Sequence, residues 1–247
     1  MKYLKYLKEY FNYNIKVDDF ATLVVTHECN KNCKFCIDKY RGNDEYISIE
    51  NVIKAMNYAK NNSIKEILIV GGEPTLHPNI IEIAKIIKNF GFKTILTTNY
   101  SKPNVIKQLD GIIDNFNISF YNQVILPKQK DFKSDITLNV LLHKKQLSTK
   151  EDLDNFIDKY KEYGQLKFST LSICNDWTEK NQKLDYLDQL KGKHIILFDE
   201  IEGIIYRDCI IKRFDKIINT NSKQSIKFHA DGEISRSWNR QVLDEVI

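Results

Sequence analysis

The chain has 247 residues, 42% of them hydrophobic and 28% charged, the balance of a globular protein with one core at the upper end of the usual size. A net charge of +4 is too small to argue for nucleic acid as a partner. No apolar run approaches the roughly eighteen residues that cross a bilayer, and no signal peptide is legible, so the expectation is a cytoplasmic protein with no membrane partner.

In chain order, residues 1–19 carry Leu4, Leu7 and Phe11 at helical spacing, an N-terminal helical segment. Apolar, β-branched runs then predict strands at 20–26, 66–70, 92–98, 116–121, 136–142 and 166–173. Helical patterns fall between several of them. Ser48 is the expected N-cap of a helix over 48–60 whose buried face holds Val52, Ile53, Met56 and Ala59. Pro78 should open a helix that stops at Gly91. Ser148 and Glu151 form the expected capping box of a third helix, closed by Gly164. Strand–helix alternation of this kind predicts an α/β fold of parallel strands with helices outside. Residues 195–211 are strand-like but interrupted by Asp199, Glu200, Glu202 and Asp208, and 226–238 reads as a hairpin around Asp231-Gly232 that caps the fold.

Cys29, Cys33 and Cys36 lie within eight residues, in C-x3-C-x2-C spacing. Three thiolates with no fourth nearby suit a [4Fe–4S] cluster that leaves one iron open, since a closed cluster takes four cysteines. A zinc site completed by His27, or three unligated thiols, are the alternatives that the residues leave open. With two further cysteines elsewhere, this usage fits metal ligation in a reducing compartment better than a disulfide framework.

The segment Thr26–Cys36 resembles the cluster loop of the radical S-adenosylmethionine (radical SAM) enzymes, and Gly71-Gly72-Glu73-Pro74 resembles their second signature. The resemblance spans about residues 20–175, leaving 176–247 to complete or cap the core. It implies a partial (β/α)6 barrel with a short C-terminal hairpin/helix extension; a full eight-stranded barrel would need more chain. It also implies a [4Fe–4S] cluster and S-adenosyl-L-methionine (AdoMet) as cofactors. Cys29, Cys33 and Cys36 would be the metal ligands, Phe35 would cover the cluster and adenine, and the Gly71-Gly72-Glu73 turn would hold the AdoMet amino group, with Glu73 meeting its charge. Thr98, Asn99 and Ser119, at strand ends, match places where relatives contact the AdoMet ribose or carboxylate, and Asn139 is a polar group inside an apolar strand that needs a partner. Ser237 stands where relatives place the next cysteine, and Cys174 and Cys209 are too few for a second cluster.

The chemistry so implied is reductive cleavage of AdoMet to a 5′-deoxyadenosyl radical, which takes hydrogen from an organic substrate. No motif decides between a peptide, a small metabolite and a nucleotide, and a non-catalytic iron–sulfur or zinc regulator is the competing class. Cys174, just past the sixth strand, is a candidate hydrogen donor to a substrate radical, against the ordinary role of a buried thiol. Lys31, Lys34, Lys39 and Arg41 crowd the cysteine loop, either as a solvated loop or as a docking patch for an acidic electron donor such as a flavodoxin or ferredoxin.

Overall fold

Six parallel strands lie side by side in chain order, each passing to the next over one face of the sheet. The computed structural model describes residues 17–37, 45–121, 126–197, 201–217 and 224–236. The strands are β1 (Phe20–Val24), β2 (Glu66–Val70), β3 (Lys93–Thr98), β4 (Asn115–Ser119), β5 (Asp135–Leu142) and β6 (Gln165–Thr170). Helices α1 (Ile49–Asn61), α2 (Ile80–Asn89) and α3 (Pro103–Leu109) join the first four strands, and α4 (Lys150–Tyr160) joins β5 to β6. Among the described residues no α-helix joins β4 to β5; a 3-10 turn at Gln129–Asp131 stands there. Val52, Ala55 and Met56 of α1, Ile83 and Ile87 of α2, and Leu153 of α4 are buried against Leu23, Ile67, Leu96, Phe116, Leu138 and Phe168 of the sheet. The opposite face of β4 and β5 is half-buried and polar, carrying Asn115, Asn117, Ser119 and Asn139 toward the barrel interior.

The helix ends correct the sequence reading. Ser48 caps α1 by accepting from Asn51 N, as expected, but Ile53 is 41% exposed and Ala55 takes its place in the buried face. Helix α2 starts at Ile80, with Asn79 as its N-cap, so Pro78 lies outside it; the proline in a first helical turn is Pro103 of α3. The capping box of α4 is Thr149 with Asp152, one residue on from Ser148 and Glu151, since an aspartate reaches back to the cap nitrogen as well as a glutamate does. Gly164 lies beyond the end of α4, and a Cβ there would sit 2.4 Å from Ile136 O, so the residue is held small by close approach to β5.

Beyond β6 the chain forms α5 (Asp176–Gln182), a 3-10 stretch, and an antiparallel meander β7 (Lys193–Ile196), β8 (Ile201–Tyr206) and β9 (Cys209–Ile217). Arg207 and Asp208 both hold positive φ (48° and 61°) in a two-residue hairpin turn, so Asp208 is a turn residue between strands. Strand β9 pairs parallel with β6 and extends the sheet. The predicted Asp-Gly hairpin is present as β10 (Ile226–Phe228) and β11 (Ile234–Ser235), with Gly232 at φ 91°. It does not cap the mouth: β10 pairs parallel with β1, giving the order β11-β10-β1-β2-β3-β4-β5-β6-β9-β8-β7. An unpaired β1 would leave a row of backbone donors and acceptors open, and β10 fills it. The sheet is thus a partial barrel with two edges. Among the described residues no helix is long and apolar enough to cross a membrane. Leu4, Leu7, Phe11, Lys39, Arg41 and Ser237 lie outside the described residues.

Candidate active site

Function in parallel barrels gathers at the carboxyl ends of the strands, and the cysteine segment leaves β1 there. Its stem is tied to the end of β2: Val25 N donates to Val70 O, Gly72 N to Thr26 O at 2.8 Å, and Glu73 N to Glu28 O at 2.7 Å. A Cβ on Gly71 would lie 2.2 Å from Thr26 O, and one on Gly72 would lie 2.2 Å from Glu28 O. The two glycines are therefore required by the approach of the cysteine loop's own backbone. Tyr46 donates to the Glu28 carboxylate and packs edge-on against His77, closing the stem on its far side.

Glu73 is fully buried. Its Oε1 accepts from Thr75 N (3.1 Å), Thr75 Oγ1 (2.6 Å) and Thr98 Oγ1 (2.7 Å), and its Oε2 accepts from Asn99 N (2.6 Å). With four donors and no accessible surface, Glu73 joins the ends of β2 and β3. Thr98 is likewise buried and committed to Glu73. Asn99 turns toward the loop, with Nδ2 donating to Asn30 Oδ1 at 2.9 Å and lying 3.9 Å from Cys29 Sγ. Asn30 Nδ2 in turn donates to Ser101 Oγ at 2.8 Å.

The other arm of the loop meets β4, β5 and α5. Phe35 stacks on Tyr121 (centroids 5.7 Å apart, planes 2° apart) and lies 6.2 Å from both His143 and Trp177. Burial pushes the Tyr121 phenol above its usual range, and its hydroxyl is within hydrogen-bonding reach of Ser119 and Cys33. His143, at the end of β5, accepts from Lys145 N at Nδ1, and burial lowers its pKa. Ser119 pairs in register with Asn139, and Asn139 with Lys167; among the described residues the buried Asn139 Oδ1 has no hydrogen-bond partner, an acceptor facing the interior. Cys174 is half-buried, with Sγ 3.9 Å from Phe35 O; Cys209 is buried at the start of β9, where desolvation pushes its thiol up to about 12.

Cys29 is exposed and Cys33 and Cys36 are half-buried, all three as free thiols. Among the described residues no three His, Cys, Asp or Glu side chains already stand together as a metal site. The donor set nevertheless fits an iron–sulfur cluster: three thiols in a turn-rich loop, Cys36 N bonded back to Cys33 O, and Lys31 N aimed at Cys29 Sγ at 3.4 Å. Burial, with Glu73, Cys36 and Cys33 adding to it against the Lys31 amide, raises the pKa of the metal-free Cys29 thiol. Sequence reasoning missed Asn30, Ser101, Tyr121, His143, Asn175 and Trp177. Tyr121 was legible only as the last residue of a predicted strand and His143 as the residue after one; the rest carry no signal without the fold.

The fold and this mouth define a partial barrel whose first loop carries three clustered thiols. Residues 23–122 match the Radical SAM superfamily model, and over that stretch the chain is similar to that superfamily, whose members use a [4Fe–4S] cluster and AdoMet. It is 30% identical over 192 residues to a protein of Methanocaldococcus jannaschii named as a glycyl-radical enzyme activating enzyme, covering 77% of this chain and 63% of that one. It is 26% identical over 186 residues to a GTP 3′,8-cyclase of Helicobacter pylori, covering 73% and 54%. The structure of Streptococcus suis SuiB bound to S-adenosylmethionine superposes with a TM-score of 0.61 at 14% identity, over 99% of this chain and 65% of that one, a likeness of fold. The chain thus spans less than two thirds of the length of each.

Proposed function

We propose that this chain reductively cleaves AdoMet and abstracts a hydrogen atom from an organic substrate, a peptide in the first instance. The observation that carries the reading is the cysteine loop, pinned by Gly72 and Glu73 at the mouth of a barrel with a polar interior. Cys29, Cys33 and Cys36 would hold the cluster. When bound, the cluster supplies the electron that breaks the AdoMet sulfonium bond and yields the 5′-deoxyadenosyl radical. Phe35, Tyr121, His143 and Trp177 wall the mouth on one side and keep water from the reacting carbon. Gly71 and Gly72 shape the turn for the AdoMet amino group, with Glu73, Thr98 and Asn99 fixing that turn, while Ser119 and Asn139 offer polar contacts from β4 and β5. Cys174 is the candidate hydrogen donor on the substrate side.

The peptide reading rests on the activating-enzyme relative, and a nucleotide substrate is the second reading, favoured by the cyclase relative. Exposed Lys31 and Lys34 suit an acidic electron donor such as a flavodoxin or ferredoxin, and clustered free thiols suit the cytoplasm. The test is anaerobic reconstitution with iron and sulfide, followed by dithionite and AdoMet. About four irons per chain and 5′-deoxyadenosine are expected; stoichiometric zinc in anaerobically purified protein, or no deoxyadenosine from iron-loaded protein, refutes the reading. Deuterium transfer into deoxyadenosine from labelled peptides or from labelled GTP then decides the substrate class.

A further inference from the structure

The dipeptide between the second and third cysteines, Lys34-Phe35, is held from outside the loop. Asn175 Nδ2 donates to Lys34 O at 2.9 Å. The Cys174 thiol faces Phe35 O at 3.9 Å, and the Trp177 ring lies 6.2 Å from the Phe35 ring. The first two contacts come from the segment joining β6 to α5 and the third from the first turn of α5, across the mouth from the Asn99–Asn30 contact that steadies the Cys29 arm. The same Asn175 is the N-cap of α5: its Oδ1 accepts from Thr178 N at 3.0 Å, and the Thr178 hydroxyl bonds back to Asn175 N. One amide therefore does two separable things, its oxygen closing a helix and its nitrogen gripping the loop.

We propose that Asn175 is a positioning residue for the iron–sulfur cluster, fixing the Cys33–Cys36 arm to the end of β6 and so setting the cluster's place relative to the substrate side of the barrel. A helix cap needs only the Asn175 oxygen, and serine or aspartate would serve equally well there. The contact to Lys34 O needs a donor with the reach of the amide nitrogen: ionised aspartate has no donor, and the serine hydroxyl sits one bond closer to its own backbone. A donor on a backbone carbonyl between two ligands restrains the direction in which both thiols point, the role that outer partners play around metal ligands.

This inference rests on Cys29, Cys33 and Cys36 being the ligands, and the two can fail separately. If the reconstituted wild-type chain holds no cluster, the ligand assignment fails; the Asn175 proposal is judged on a wild-type chain that does. The variants are Asn175→Asp and Asn175→Ser, both of which keep a capping oxygen, and Asn175→Ala, which loses cap and grip together. Metal-free Asp and Ser variants should melt with the wild type, while the Ala variant melts lower. After reconstitution, iron loss to a chelator such as bathophenanthroline should run roughly five- to tenfold faster in both the Asp and the Ser variants, the size expected for one lost hydrogen bond. The electron paramagnetic resonance spectrum of the dithionite-reduced cluster should change in the same two variants. Wild-type iron retention and an unchanged spectrum in Asn175→Ser would overturn the proposal, as would a fall in its metal-free melting temperature equal to that of Asn175→Ala.

Discussion

Replacing Glu73 by glutamine separates two roles that the same residue could play. The carboxylate accepts four hydrogen bonds, three at Oε1 and one, from Asn99 N, at Oε2. An amide keeps one oxygen for Thr75 and Thr98 and turns an NH2 toward the Asn99 N–H, so one charge-assisted bond is lost and two donors face each other in a site with no room for water. A hydrogen bond to a charged group contributes about 1.5–3 kcal/mol, and weakening of the remaining three brings the expected loss to about 2–4 kcal/mol. In a chain of this size that is a fall of roughly 5–15 °C in melting temperature. The assay is thermal or urea unfolding of the metal-free Glu73→Gln variant beside the wild type, with cluster loading measured afterwards. Unchanged metal-free stability together with weakened AdoMet binding would refute the buried-hub reasoning and restore Glu73 as a direct partner of the AdoMet ammonium.

Gly72→Ala should destabilise the metal-free chain by about 1–3 kcal/mol or more and lower the cluster yield, because the added carbon meets Glu28 O and His27 O rather than a movable side chain; a urea midpoint equal to wild type would contradict this. Arg213, 1% exposed, binds Asp215 through Nε and Nη2 and Asp188 through Nη2, so Arg213→Met should cost about 3–5 kcal/mol, while combining it with Asp215→Asn recovers a large part. Equal urea midpoints for the single and double variants would dismiss the buried pair as the cause. His77 and His143 each accept a backbone N–H at Nδ1, from Asn79 and Lys145, and burial lowers both pKa values. Protonation then favours the unfolded chain, so their contribution is full above about pH 6.5 and is lost as the pH falls toward the folded values; melting from pH 7.5 to pH 5 should show the decline, reduced in His143→Gln.

The strands were legible because β1 to β6 are β-branched runs punctuated by glycine and proline, and all six start within one residue of the predicted positions, β2 with both ends as expected. Turn chemistry was less legible. Arg207-Asp208 makes a tight hairpin without glycine, so β8 and β9 read as one interrupted run, and the short helices α3 and α5 are too brief to impose a period. The cysteine loop and its glycine-rich neighbour were evident from residue type alone. The division of labour within that neighbour was not: whether Glu73 faces a ligand or four protein donors depends on Thr98 and Asn99, which only the pairing of β2 with β3 brings alongside. Asn139 was visible as a polar interruption, and among the described residues its buried oxygen has no hydrogen-bond partner.

The place of β10 beside β1 has a consequence for how the molecule is made. The strand that launches the cysteine loop is synthesised well before one of its two neighbours, which is contributed by Ile226–Phe228, far along the chain. Closing so long a stretch of polypeptide before the pairing is rewarded slows folding. Until it happens, Ala21–Leu23 present a bare edge that invites association with another copy. Folding therefore has a late step: until β10 docks, the strand that leads into the cysteine loop is paired on one side only, with β2.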